Sequence, residues 1–276
     1  VGPQAETRRA RIDLEFGEAA GISELIRDVA HRSGIGDVLA DGSKRMSEKY
    51  GGSDFAMHVK GMEMSAYDPR GSYAQGVEYA TTNRGGCHVQ GASMYLESVG
   101  PLTINPQNLK LKADIPVVQQ NLACALNSMV LCIFTSYGMI PAMVHNMNPN
   151  GLPLRALSKV MENLGPMFRM SMSMKGPPIF WWEKWMTQIT GAPMSSGHIQ
   201  EYGGRIFNLE RIYNLREGVG ADQDTLPRRM LDEPTFPGMT SGHPLDQLLP
   251  RYYKIRGWDQ AGIPTQKVLD KLQVRS

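Results

Sequence analysis

Ile22, Leu25, Ile26 and Val29 recur at helical spacing and Gly34 follows as a C-terminal stop, so a helix is expected over 20–32. A second, shorter helix is expected over 36–50, ending at Gly51-Gly52. Beyond it Phe55, Met57 and Val59 alternate with Ala56, His58 and Lys60 in a strand-like pattern. Between Pro116 and Phe134 the chain is apolar on most sides, which predicts a helix buried in a helical body. From 136 to 200 it is rich in Met, Pro and Gly, as in Met170-Ser-Met-Ser-Met174, Gly176-Pro-Pro178 and Phe180-Trp-Trp182. Methionine fills irregular apolar space, so this stretch reads first as ordinary core and second as a shaped pocket wall. Ile206, Leu209, Ile212 and Tyr213 repeat at helical spacing before Gly218, with Arg205, Glu210 and Arg211 on other faces, which predicts an amphipathic helix. Residues 224–238 read as loop and Leu245 to Gly257 as a last long helix. No internal repeat or low-complexity tract interrupts the pattern.

Length narrows little: 276 residues suit one large domain, or one large unit and a small one. The 29 Lys and Arg against 27 Asp and Glu leave a formal charge of +2, too weak a field to imply nucleic acid or a membrane surface. Cys87, Cys124 and Cys132 are few and odd in number, which argues against a secreted disulfide scaffold and for a reducing compartment, the cytoplasm by default. The longest apolar run, Met129 to Phe134, is far short of the roughly 20 residues that span a bilayer, so no membrane span is expected. The start, Val1-Gly-Pro-Gln-Ala-Glu-Thr-Arg-Arg, has no initiator Met and no signal-peptide core, and reads as a cut end.

Candidate chemistry concentrates in two segments. Asp68-Pro69-Arg70-Gly71 has the residues of a turn: Asp accepts a backbone hydrogen bond, Pro presets its dihedral and Gly permits a positive one. Asn83-Arg84-Gly85-Gly86-Cys87-His88 is more specific, because a Gly-paired polar turn ending in a soft and a titratable side chain is seldom required for packing. Together they suggest a phosphorylated-cofactor site, in which glycines admit close backbone approach, Arg70 and Arg84 fork onto phosphate, and His88 exchanges a proton near neutral pH. Arg70 and Arg84 read first as structural residues and second as phosphate ligands. Cys87 and His88, being adjacent, point in different directions, so a cysteine-hydrolase pair lacks support. Cys132, within the apolar run, reads as a core residue when the chain is taken alone. No Cys-x-x-Cys, His-Glu-x-x-His, P-loop or dinucleotide fingerprint occurs.

Taken in order, Gly34 to Gly42, His58-Val-Lys-Gly61, Ala66 to Gly71, Tyr79 to His88, Asn208 to Gly218, Asp224-Thr-Leu-Pro-Arg228, Tyr252 to Trp258 and Gly262-Ile-Pro-Thr265 resemble the C-terminal half of the tungsten-dependent aldehyde ferredoxin oxidoreductase family, across roughly residues 22–272. The resemblance implies a mainly α, multihelical chain: 1–57 would end a helical middle domain and 58–276 form the C-terminal helical domain. It implies a tungsten (or molybdenum) bis-pterin and a [4Fe–4S] cluster, both depending on an N-terminal part upstream. His88 would be the catalytic proton shuttle and Cys132 the fourth cluster thiolate, while Asn127, Leu131, Arg84, Asp68 and Arg70 fall where cofactor contacts are expected. The implied reaction oxidises an aldehyde to a carboxylic acid, with ferredoxin or another iron–sulfur carrier as acceptor. A homo-oligomer is compatible with it, and no nucleic acid is implied.

The chain departs from the family pattern Asp-x-x-Gly-Leu-Cys, reading Asn127-Ser-Met-Val130-Leu131-Cys132. Asn127 can still donate and accept hydrogen bonds but carries no charge, and Val130 adds bulk where Gly is expected. Two alternatives therefore accompany the main reading. One is a family-fold domain or subunit without its own redox site, serving partner contacts; the other is a member that reduces an aromatic thioester or acid. Truncation would also leave an uncovered surface rich in apolar and Met side chains.

Overall fold

The computed structural model describes residues 17, 19, 21–100, 103–134, 146–148, 151–163, 165–178, 180–235 and 237–274; the start of the chain and the methionine-bearing 135–145 lie outside them. The described chain is mainly α, as the segment pattern implied. Three short helices come first, α1 (Ile22–His31), α2 (Ile35–Leu39) and α3 (Gly42–Tyr50). The expected 36–50 helix is thus split after Leu39, and Gly42, at the start of α3, takes a φ of 80°, which a continuous right-handed helix does not contain and which glycine adopts without strain. Helix α1 has an apolar stripe but buries none of its residues.

Among the described residues the sheet is one antiparallel hairpin, β1 (His58–Val59) with β2 (Met62–Glu63). It is shorter than the alternation over 55–59 suggested, because Phe55 and Ala56 turn back to bond the Gly52 carbonyl. Lys60 and Gly61 between the strands have φ of 53° and 83°, the two positive values a tight hairpin turn needs. Glu63 then accepts the Ser43 N–H and hydroxyl at 2.8 and 3.0 Å, tying the hairpin to the first turn of α3.

The core forms where α5 (Asp114–Ser128) crosses α9 (Ser196–Arg216), against α4 (Tyr73–Thr81) and α11 (Leu245–Arg256). Gly203 makes the crossing close: a Cβ there would stand 1.8 Å from the Asn121 carbonyl oxygen. Val77, Tyr79, Phe207, Leu248, Tyr252 and Trp258 fill the centre. A second cluster joins Leu122, Ala125 and Leu126 of α5 to Trp182, Met194 and Ile199. In the chain α6 (Leu152–Asn163), α7 (Gly165–Met172) and α8 (Trp181–Thr190) connect α5 to α9, and the short α10 (Arg228–Asp232) lies between α9 and α11. The chain closes with α12 (Gln266–Leu272), a helix the apolar pattern did not announce.

Three expectations change. The amphipathic helix over 206–218 is present, but its faces are otherwise assigned: Leu209 and Tyr213 are exposed, whereas Arg211 is fully buried. Burial is possible because Asp224 takes the Arg211 fork at 3.0 and 2.8 Å, and the guanidinium lies 4.9 Å over the Trp258 ring. The methionines of the 136–200 stretch divide: Met194 is buried, while Met167, Met170 and Met174 are exposed. Cys132 is exposed rather than core, because α5 ends at Ser128 instead of running on to Phe134. Among the described residues no helix is long and apolar enough to cross a membrane.

Candidate functional site

The turn that follows α4 builds the site. Asn83 donates through Nδ2 to the Phe207 carbonyl and to Glu210 Oε2, both at 3.0 Å, and accepts at its own carbonyl from Asn214 at 2.6 Å. Gln90 donates to the same Glu210 oxygen at 3.0 Å. The turn is thereby sewn to α9 at both ends, and a cleft of about 610 Å³ opens beside it. Arg84, Asn127, Leu209 and Tyr213 complete its wall.

The balance of polar groups in this cleft is unusual. Asn83 and Gln90 are 8% and 3% exposed, and the side-chain oxygen of each has no hydrogen-bond partner. A buried carbonyl left unbonded costs about 1–3 kcal/mol, so these two residues carry unmet hydrogen-bonding capacity just beneath the cleft wall. Arg84 and Asn127 are exposed beside them and offer N–H groups.

Asn127 reaches this wall through the way α5 ends. Leu131 donates its N–H to the Leu126 carbonyl at 2.9 Å and Val130 donates to Asn127 at 3.0 Å, a Schellman-type closure with Val130 in the left-handed position at φ 59°. Leu131 then packs into the second core cluster with Leu126, while Asn127 and Cys132 stay exposed on either side of the turn. Left-handed backbone at a β-branched residue is strained, which is why glycine is usual there.

The other sequence candidates separate. Asp68 caps a short 3₁₀ turn, Pro69–Gly71, by accepting the Arg70 N–H, and its carboxylate meets the Arg70 guanidinium at 2.7 Å. Arg70 also donates to the Glu233 carbonyl at 2.9 Å, so its fork is engaged within the protein, and neither residue lines the cleft. Gly85 and Gly86 admit the hairpin rather than an anion: a Cβ on Gly85 would stand 2.6 Å from the Val59 carbonyl oxygen, and one on Gly86 2.8 Å from that of Met62. His88 is half-buried on the same turn as Asn83 and Gln90, its ring 5.4 Å from that of Tyr67. Burial pushes its pKa down, which leaves a neutral imidazole at pH 7. Among the described residues no three His, Cys, Asp or Glu side chains cluster as a metal site.

Glu78 was not anticipated from sequence. Fully buried in α4, it accepts from Ala92 N–H at 2.9 Å, Ser93 N–H at 2.8 Å, the Ser93 hydroxyl at 2.6 Å and Gln75 Nε2 at 3.1 Å, which fixes the chain just beyond Gln90. Burial raises its pKa to about 7 against the pull of those donors. Glu210 was likewise read only as a surface charge on an amphipathic helix. The one available signal was its position four residues before Asn214, on the side of α9 that Asn83 meets.

Comparison with known proteins bears on the same segments. The family model "Aldehyde ferredoxin oxidoreductase, domains 2 & 3" matches residues 4–274. The chain is 33% identical over 261 residues to the tungsten-containing aldehyde ferredoxin oxidoreductase of Pyrococcus horikoshii, covering 92% of this chain and 37% of that protein. A match of the same extent, 33% over 260 residues, is found to the Thermococcus kodakarensis enzyme of that name. The aliphatic sulfonate oxidoreductase WOR-like subunit of Pyrococcus furiosus is 24% identical over 282 residues. Among solved structures, the active-site complex BamBC of benzoyl coenzyme A reductase superposes with a TM-score of 0.55 at 18% identity, over 91% of this chain and 38% of that one, a likeness of fold. The chain spans a little over a third of the length of the curated relatives it matches, 37% in the first two.

Proposed function

The chain belongs to the aldehyde ferredoxin oxidoreductase family, and on that premise we propose that it is the C-terminal part of a tungsten-pterin, iron–sulfur enzyme that oxidises aldehydes to carboxylic acids and passes the electrons to ferredoxin. The observation that carries this reading is the cleft whose wall brings Asn83, Arg84 and Gln90 of the turn together with Asn127 from the end of α5. A pterin ring carries an amino group, a ring N–H and a carbonyl along one edge, so Arg84 would hold it by donating N–H groups and Asn127 by donating and accepting. Asn127 supplies these contacts without the negative charge of a carboxylate.

When bound, the tungsten centre supplies the two-electron exchange with the aldehyde and the cluster divides it into single-electron transfers. The chain's own residues position and protonate. His88, neutral at pH 7, accepts a proton at a ring nitrogen and returns it. Cys132, exposed just past the α5 closure, presents a thiol to a cluster whose other ligands come from outside this chain. Glu78 holds residues 92 and 93, and through them the turn bearing His88 and Gln90. Residues 1–57 would end a middle domain and 58–276 form the C-terminal one; in support, α1 packs chiefly on α2 and leaves Ile22 and Ile26 exposed.

Cys132→Ser in the full-length protein tests the assignment. It should remove iron while the helical content stays, and an unchanged iron content would exclude Cys132 as a ligand.

A further inference from the structure

Among the described residues, every strongly buried Lys or Arg but one has a carboxylate beside it. Lys60 meets Asp224 at 2.9 Å, Lys112 meets Glu97 at 2.7 Å, Arg70 meets Asp68 at 2.7 Å and Arg211 meets Asp224 at 2.8 Å. The exception is Arg256, 5% exposed at the end of α11. Its guanidinium donates to the Tyr252 hydroxyl at 2.9 Å, to Gln120 Oε1 at 2.8 Å and to Asn121 Oδ1, and lies 3.9 Å over the Phe207 ring. All four neighbours are neutral, and among the described residues no Asp or Glu pairs with it. These bonds use three of the five guanidinium N–H groups and leave two. A desolvated charge without a counter-charge costs several kcal/mol, so the arrangement calls for an anion from outside the chain.

Arg256 lines a cleft of about 570 Å³ between α5, α7, α9, α11 and α12, distinct from the Asn83–Asn214 cleft. Arg169, Lys175 and Lys271 share its wall with one acid, Glu201. Arg169 is matched by Asp114 and Lys175 by Glu201, whereas Lys271, exposed at the rim, pairs with no carboxylate among the described residues. Glu201 is further shared with Arg205 at 3.2 Å, so the acids at the cleft are already engaged and leave buried Arg256 and exposed Lys271 without a carboxylate partner among the described residues.

We propose that this cleft is an anion site for a phosphoryl group, free or carried by a small metabolite. The dianion balances Arg256 and Lys271 together, and a planar guanidinium beside a flexible ammonium is a pairing well suited to phosphate oxygens.

Titration calorimetry on the full-length protein at fixed ionic strength tests it, with orthophosphate, glycerol 3-phosphate and citrate as probes. One saturable site is expected for phosphate or its ester, with citrate at least tenfold weaker; the tighter of the first two identifies the free ion or the ester as the source. Lys271→Ala, an exposed change outside the core, should weaken binding about tenfold. Glu201→Gln, which removes the acid in the cleft, should tighten it severalfold. Absence of saturable binding, equal affinity in Lys271→Ala, or citrate binding as tightly as phosphate would overturn the proposal.

Discussion

Leu131 donates its backbone N–H to the Leu126 carbonyl at 2.9 Å across a left-handed Val130, and this one bond decides which side chains α5 presents at its end. It ends the helix, turns Leu131 into the second core cluster and leaves Asn127 and Cys132 exposed.

Val130→Gly should therefore stabilise the protein. Val130 is 92% exposed, so no burial is lost, and release of about 1–2 kcal/mol of left-handed strain exceeds the roughly 0.5–1 kcal/mol that glycine adds in chain entropy. The expected net gain is about 0–1.5 kcal/mol, read as a rise in the thermal midpoint. A lower midpoint would show that the backbone relaxes elsewhere.

Asp224→Asn should destabilise strongly. Asp224 is fully buried and neutralises both Lys60 and Arg211 while accepting from the Tyr253 hydroxyl at 2.6 Å. Removing the charge leaves two buried cations uncompensated, a loss of about 3–5 kcal/mol. Urea unfolding measures it, and a change below about 1 kcal/mol would mean that water or a rearranged Asp222 replaces the carboxylate.

Two buried groups give opposite pH responses. His243, its ring nitrogen 2.9 Å from the Tyr73 carbonyl, is pushed by burial from 6.5 to about 4. Its folded form binds fewer protons than the unfolded one between those values, so its contribution is present above pH 6.5 and is lost as pH falls through 4. Glu78 is raised from 4.5 to about 7, so its contribution is present below pH 4.5 and is lost as pH rises through 7. Each amounts to about 3 kcal/mol. Stability relative to His243→Gln should shrink on acidification, and stability relative to Glu78→Gln should grow. Parallel pH curves for wild type and either variant would contradict the corresponding assignment.

His88→Asn in the complete enzyme should lower turnover by about a hundredfold or more, the usual effect of losing a general acid–base. Assay against an aldehyde with a dye acceptor reads it, and wild-type turnover would remove His88 from proton transfer.

The long helices were legible because their apolar spacing is regular: α1 and α11 begin and end close to where Ile22–Val29 and Leu245–Gly257 suggested. What stayed hidden depends on partners distant in the chain. Arg211 reads as solvated until Asp224, thirteen residues on, and Trp258 come against it. The exposure of Cys132 rests on one backbone dihedral, and hydrophobicity does not encode that. Glycine pairs are similarly ambiguous: Gly85 and Gly86 suggested a bound anion, yet they accommodate Val59 and Met62 of the hairpin. Asn83 and Arg84 belonged to a segment already singled out, but that the same turn would meet Glu210 and Asn214 of α9 required the fold.

The central claim is most directly tested by the tungsten and iron content of the full-length protein purified without oxygen. The account predicts tungsten (or molybdenum) with about four irons per chain. Neither tungsten nor molybdenum, in a protein that retains its helical fold, would contradict it and leave a family-fold chain without a redox centre.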